Sequence, residues 1–362
     1  MNARRLLALL GVTLLGGSAF AWWPRAAGSE SDVPAEGVLA PYHPALLGAW
    51  EEVARIPAQR LGTGAILDLD ERGDTLYVLQ RDRWMRIAAG EVSDPFGSPV
   101  KGSPQWLGSG TAIRAVPGGA VIIDRGRGVV TQWADDGSRG LEHDFRARKG
   151  LGSLLEGVAA SAEGVMLVST RQVLDGGDGE WIVLRGRLES ATFDTIYRGA
   201  KDPPEAEAHN TPRMAAVPSG GFLLMPALEW RLISLAAATN VMTDVRRQGG
   251  PRWTVPDSIV RGYARLMERL PPAQRVVHAL PRTFPPVRGV SVDAFGRVLV
   301  LVAAGVSATH VELLTAGGTP IGRLWDAPEA RTVFIANGAA FRIEESDDYT
   351  TVERLRPLPP RE

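Results

Sequence analysis

Cysteine is absent from all 362 residues. That excludes disulfides, thiolate nucleophiles, cysteine-ligated metals and a lipid-modified cysteine. Lysine is scarce, at 101, 149 and 201 only, followed in turn by glycine, glycine and aspartate, so there is no phosphate loop ending in Lys-Ser or Lys-Thr. Neither a Gly-x-Ser-x-Gly elbow nor a His-Glu-x-x-His zinc motif occurs. The five histidines, His43, His143, His209, His278 and His310, are scattered without ligand spacing; they read as surface or hydrogen-bonded side chains, not metal ligands. No catalytic residue, cofactor or resident metal is therefore indicated. Charge excess is missing too. The formal net charge of −1 becomes about −3 when residues 1–21, with Arg4 and Arg5 and no acid, are set aside, which argues against a nucleic-acid binder.

Turn formers are abundant, with 41 glycines and 26 prolines, and the hydrophobic fraction of 44% suits a globular chain with a real core. At this length two average domains would fit, but a closed all-β ring accounts for it as one. Residues 1–21 have a basic start at Arg4-Arg5, an apolar run from 6 to 15, and small residues Ala19 and Ala21 at the −3 and −1 positions of a signal-peptidase cut after Ala21. The expectation is a cleaved signal peptide and a periplasmic or secreted protein. An uncleaved anchor, with Trp22-Trp23 at the membrane interface, is the alternative. It is disfavoured because an apolar run of about 15 residues is short for a bilayer span. Residues 22–49, rich in Ala, Pro, Gly, Ser and Glu, read as a flexible tether.

One complete repeat lies at residues 287–325. Residues 287–292 form a strand, residues 293–296 a turn, and residues 297–302 a strand apolar on both faces, as one packed between neighbouring layers should be. Residues 309–314 alternate, with His310 and Glu312 on one side and Val311 and Leu313 on the other, and a Gly-Gly turn leads to an edge strand at Trp325. Four antiparallel strands in about 40 residues match a propeller blade. The glycine of the first hairpin recurs at Gly73, Gly119, Gly164, Gly220, Gly296 and Gly338, at intervals of 46, 45, 56, 76 and 42. That predicts an all-β fold, a six-bladed β-propeller with four-stranded blades over residues 50–359. The long interval holds one amphipathic helix, an insertion at about 251–272 with Ile259, Val260, Tyr263, Leu266, Met267 and Leu270 at helical spacing, stopped by Pro271-Pro272. The last unit supplies only three strands, and residues 50–56 have no local partner, so this N-terminal strand is expected to complete the sixth blade and close the ring.

Residues 115–138, AVPGGAVIIDRGRGVVTQWADDGS, resemble an NHL-type repeat: a strand, a glycine turn, a strand ending in Asp124, a third strand, then Asp135-Asp136-Gly137. The order DVRRQGG and helix, then FPPVRGVSVDAFGRVLVL, then NGAAFRIEESDDYTTVERLRPL is similar to exported bacterial six-bladed propellers of the NHL/TolB-like group. The resemblance spans roughly residues 50–359. It implies the fold and leaves the activity open, since propellers host many functions.

The first residue of each inner strand should stand at the channel mouth, where propeller ligands sit. Counting back seven or eight residues from the hairpin glycines selects Glu156, Arg213, Arg288 and Arg331. Guanidinium groups gathered at one opening suit a carboxylate, phosphate or sulfate, which they grip bidentately. The competing expectation is ordinary solvated charges, with the mixed offset sending some to the opposite strand face. The acidic run from Asp175 to Glu180 is read as a glycine-rich loop between the middle strands of the third blade and not as a calcium site. Two functions follow. One is an exported, monomeric, non-enzymatic binding protein for a protein, peptide, glycan or other anionic ligand. The other is a metal-dependent lactonase or hydrolase resembling the gluconolactonase group, which would place metal ligands at Glu156 and Asn210. Arginines at 213, 288 and 331, where further oxygen ligands would be wanted, repel a divalent ion and favour the first.

Overall fold

The computed structural model describes residues 48–360 except 63, 147–154, 174–178, 191, 203–210, 227–230, 237–241, 247–252, 255–256, 285–286, 304–308 and 328–331; within 257–282 it describes Asp257, Arg261, Ala264, Arg265 and Glu268, and ahead of 48 it describes His43 and Leu46. Six four-stranded antiparallel sheets account for nearly all of it. Five are built in simple chain order, with inner strands Asp68–Arg72, Gly110–Val116, Leu155–Ala160, Arg213–Ala216 and Val287–Val292. The sixth runs Thr332–Ala336, Ala339–Glu345, Tyr349–Leu355 and then Glu51–Pro57, so its outer strand comes from the other end of the chain. Each inner strand touches the inner strand of the next blade, and the sixth returns to the first. The chain is a six-bladed β-propeller.

Apolar residues form six clusters, and each cluster lies between two neighbouring blades. Leu79, Trp84, Ile122 and Trp133 join blades one and two; Ile123, Phe145, Val168 and Phe193 join two and three. Val183 meets Leu224 between three and four, Met225 meets Val300 between four and five, and Leu313 meets Leu355 between five and six. This arrangement explains the doubly apolar second strands. In Val298–Ala303 the side chains at 298, 300 and 302 face blade four and those at 299 and 301 face blade six, because successive strand side chains alternate.

Ring closure follows the expected route. Strand Glu51–Pro57 pairs antiparallel with Tyr349–Leu355 from Glu51 opposite Arg354 to Pro57 opposite Tyr349. Its Ala54 and Ile56 enter the cluster between blades six and one beside Leu69, Val78, Phe341 and Val352. An ionic clasp spans the same seam: Arg354 reaches Glu51 at 2.7 Å and also binds Glu71 of blade one, and Arg356 reaches Glu71 at 2.6 Å. Glu71 is buried, and burial pushes its carboxyl above the usual range even with both arginines opposing.

Two boundaries move. Before Trp50 the chain is already held: His43 N donates to Arg323 O, Gly48 N to Arg356 O, and Leu358 N to Leu46 O. The 22–49 tether thus meets the ring by residue 43. The excursion between blades four and five starts as strand, not helix: Trp253–Thr254 pairs with Thr283–Phe284 in a two-stranded ribbon that closes its base. Asp257, Arg261, Ala264, Arg265 and Glu268 are helical and exposed, a polar face at 3.6-residue spacing. The apolar residues assigned to the other face, and the proposed signal at 1–21, lie outside the described residues. Among those described, no helix is long and apolar enough to cross a membrane.

The hairpin glycines turn for a steric reason. Gly73, Gly164, Gly220, Gly296 and Gly338 have φ between 58 and 100°, which side chains resist. In blade two this position belongs to Gly118 at φ 74°, one residue before the Gly119 picked from the repeat.

Candidate functional site

Three of the four expected residues meet where the inner strands begin. Glu156 is the second residue of blade three's inner strand, Arg213 the first of blade four's and Arg288 the second of blade five's. Arg331 lies outside the described residues. The mixed offset has a structural cause. In blades three and five the ladder slips between Leu155 and Gly157 and between Val287 and Gly289, leaving Glu156 and Arg288 as extra, unpaired residues; blade four has no slip. A bulge sets two consecutive residues against one and re-aims the first. Arg213, level with Gly157 and Gly289 in the ladder, and the bulged Glu156 and Arg288 can then serve one opening. The following glycines make room: a Cβ on Gly157 would stand 2.9 Å from Ser169 Oγ, and one on Gly289 would stand 2.9 Å from Ile335 Cγ1 of the next blade.

The charges respond to one another. Glu156 is held by Arg125 at 2.5 Å, from the loop between the second and third strands of blade two, which opens on the same face. Arg213 is pushed below its ordinary value by burial and by Arg114, against the pull of Glu156 and Asp68. Arg288 is pushed down to about 9, first by burial and then by Arg213. Both arginines keep some solvent contact while walled in by the ring, as side chains lining a narrow channel must. Held so close, two like charges in a low-dielectric passage are costly, and a counter-anion relieves that cost.

Deeper in the channel the charges are matched. Arg114 of blade two binds Asp68 of blade one at 2.6 Å. Burial works against the Arg114 charge, but Asp68 and Asp70 more than offset it and hold its pKa up. Asp68 also accepts from Ile113 N at 3.0 Å and Asp70 from Ala115 N at 2.9 Å. These carboxylates thus cap backbone donors of the neighbouring inner strand, as buried N–H groups require. Asp68, Arg114 and Arg125 escaped the sequence reading. The first two stand five residues before Gly73 and Gly119, not seven or eight, and Arg125 is on a loop.

A divalent metal at Glu156 does not fit these surroundings. Its carboxylate is engaged by Arg125 and lies within reach of Arg213, and neighbouring cations oppose metal binding. Asn210 lies outside the described residues, and among those described no three His, Asp or Glu side chains gather as a metal set. Of the acidic run, Asp175 and Asp178 also lie outside the described residues; Glu180 pairs with Arg198 on the neighbouring strand.

No protein-family model and no curated protein matches the chain. Solved structures do match in shape. A member of the DUF4221 family from Bacteroides vulgatus is 10% identical, with TM-score 0.51, over 86% of this chain and 97% of that one. U3-55K is 8% identical, with TM-score 0.49, over 82% and 96%. A streptogramin B lyase is 8% identical, with TM-score 0.47, over 87% and 100%. At such identities the likeness concerns the propeller ring and carries no activity with it.

Proposed function

We propose that the protein is a non-catalytic binding protein that takes an anionic ligand at the mouth of its axial channel. The observation that supports this most directly is the approach of Arg213 and Arg288 from neighbouring blades, close enough that the first depresses the pKa of the second. The anion is either a small molecule or a charged group on a protein, peptide or glycan resting on the same face. Export follows from residues 1–21 and places the binding event in the periplasm or outside the cell.

Titration calorimetry with a panel of small anions tests the binding claim. Wild-type protein is expected to bind at least one saturably, and Arg213→Ala with Arg288→Ala to bind none. Unchanged binding in the double variant refutes the site. Stoichiometric calcium, zinc or manganese in purified protein, together with lactone turnover, refutes the non-catalytic assignment. Fractionation of expressing cells tests export: a product beginning at Trp22 outside the cytoplasm is expected, and full-length protein in the cytoplasm refutes it.

A further inference from the structure

We propose that the group held between Arg213 and Arg288 is a phosphoryl group, either inorganic phosphate or the phosphate of a monoester. This deepens the anion-binding function above and rests on it. The first ground is charge. The mouth and the level below it gather Arg114, Arg125, Arg213 and Arg288 against Asp68 and Glu156, with Asp68 taken by Arg114 and Glu156 by Arg125. Two positive charges remain in excess, and they sit side by side. One compact dianion neutralises both, a lone carboxylate neutralises one, and a dicarboxylate separates its charges.

The second ground is the donor set. Arg213 Nε, Thr211 Oγ1 and Thr111 Oγ1 are buried and make no hydrogen bond, whereas buried polar atoms are nearly always partnered. Thr111 occupies in blade two the slipped position that Glu156 and Arg288 occupy in blades three and five. Thr211 precedes Arg213 by two residues across Pro212. Proline holds the residue before it extended, so the Thr211 and Arg213 side chains leave the strand on one side. A tetrahedral oxyanion directs oxygens toward several blades at once, which a planar carboxylate cannot do.

The third ground is Glu156, an acceptor within electrostatic reach of Arg213. Sulfate is fully ionised and has no proton to share with a carboxylate. A phosphate group, with a second pKa of about 6, still carries or shares one near neutral pH. Glu156 therefore discriminates between two oxyanions of like size and charge.

Full-length protein is titrated at constant ionic strength with inorganic phosphate, glycerol phosphate, sulfate and acetate, and its melting temperature is followed with each. Phosphate or glycerol phosphate is expected to bind at one site and raise the melting temperature, with sulfate at least about ten-fold weaker and acetate without effect. Preference for glycerol phosphate over phosphate identifies a monoester as the ligand, and the reverse identifies the free ion. Arg213→Lys and Arg288→Lys keep the charge but lose the two-pronged grip, so each should weaken phosphate by about ten-fold or more. Glu156→Gln is expected to bring sulfate to within about three-fold of phosphate. Sulfate or acetate binding as tightly as phosphate overturns the phosphoryl assignment and leaves the anion site standing. Binding of none of the four by protein that melts cooperatively overturns both.

Discussion

Replacing Ile56 by alanine asks whether the strand Glu51–Pro57 closes the ring or merely rests on it. Ile56 is fully buried, sits opposite Thr350 in the ladder, and packs among Leu69, Val78, Phe341 and Val352 from blades one and six. The substitution removes three methyl-sized groups, about 2.4 kcal/mol of transfer free energy at roughly 0.8 each. The cavity left between two rigid sheets adds to that, giving a loss of about 3 kcal/mol within the usual span of 2–5. Against a typical domain stability of about 5–15 kcal/mol, that is a large share. Urea unfolding followed by tryptophan fluorescence reads it directly. If residues 51–57 are integral to the closed ring, the midpoint falls while the slope with urea stays unchanged, because the same surface is exposed in one transition. Arg55→Ala on the same strand is the control. Its guanidinium is exposed, bonded to Glu52 and stacked over the Tyr349 ring, and its removal should cost less than about 1 kcal/mol. A loss below about 1 kcal/mol for Ile56→Ala, or a separate early transition with a shallower slope, would refute closure by this strand.

Three further outcomes follow from single side chains. Burial raises the Asp70 carboxyl from 3.8 to about 6, so the native ring holds that proton more tightly than the unfolded chain does. The resulting stabilisation, roughly 3 kcal/mol, is fully present below about pH 3.8 and is lost as pH rises through about 6. Wild-type stability minus that of Asp70→Asn should therefore fall by about this amount between roughly pH 4 and 7; a flat difference in urea titrations would contradict it. Asp124 is fully buried and accepts from the backbone N–H groups of Gly108, Ser109 and Arg127, so Asp124→Ala, which strands three donors, should cost about 3 kcal/mol or more in chemical unfolding. Gly338 has φ 72°, and a Cβ there would stand 2.5 Å from Asp293 Cα of blade five. Gly338→Ala should lower stability by about 1–3 kcal/mol in the same titration, and an unchanged midpoint would show that the two blades part easily there.

The architecture was legible because a propeller repeats its signals. Alternation in Thr309–Leu314, the doubly apolar run before Ala303 and the glycine at each inner hairpin are local features, and each was written several times in one chain. Closure was legible by elimination: three strands at the end lacked a fourth, and one strand at the start lacked a neighbour. Other features depend on facts no single repeat contains. The Trp253–Thr254 and Thr283–Phe284 ribbon pairs two dipeptides across a long excursion, too short for any periodicity to register. The hold on His43 and Leu46 comes from backbone bonds to Arg323 and Leu358 far along the chain.

The channel charges divide in the same way. Glu156 and Arg288 could be found because each is followed by glycine, and that pair of letters is the visible trace of a bulge next to a crowded neighbouring blade. Arg213 was found by its place at the start of a strand. Asp68 and Arg114 could not be found this way, since neither is unusual within its own blade; their meaning lies in the 2.6 Å bond between two blades. The distinction bears on function. Around the ring, Arg114 has an acid from the adjoining blade and Arg125 has Glu156, while Arg213 is set beside Arg288, another cation. A fold that answers buried arginines with carboxylates in blades one to three, yet places a second arginine next to Arg213, carries its cost where a ligand's charge can offset it.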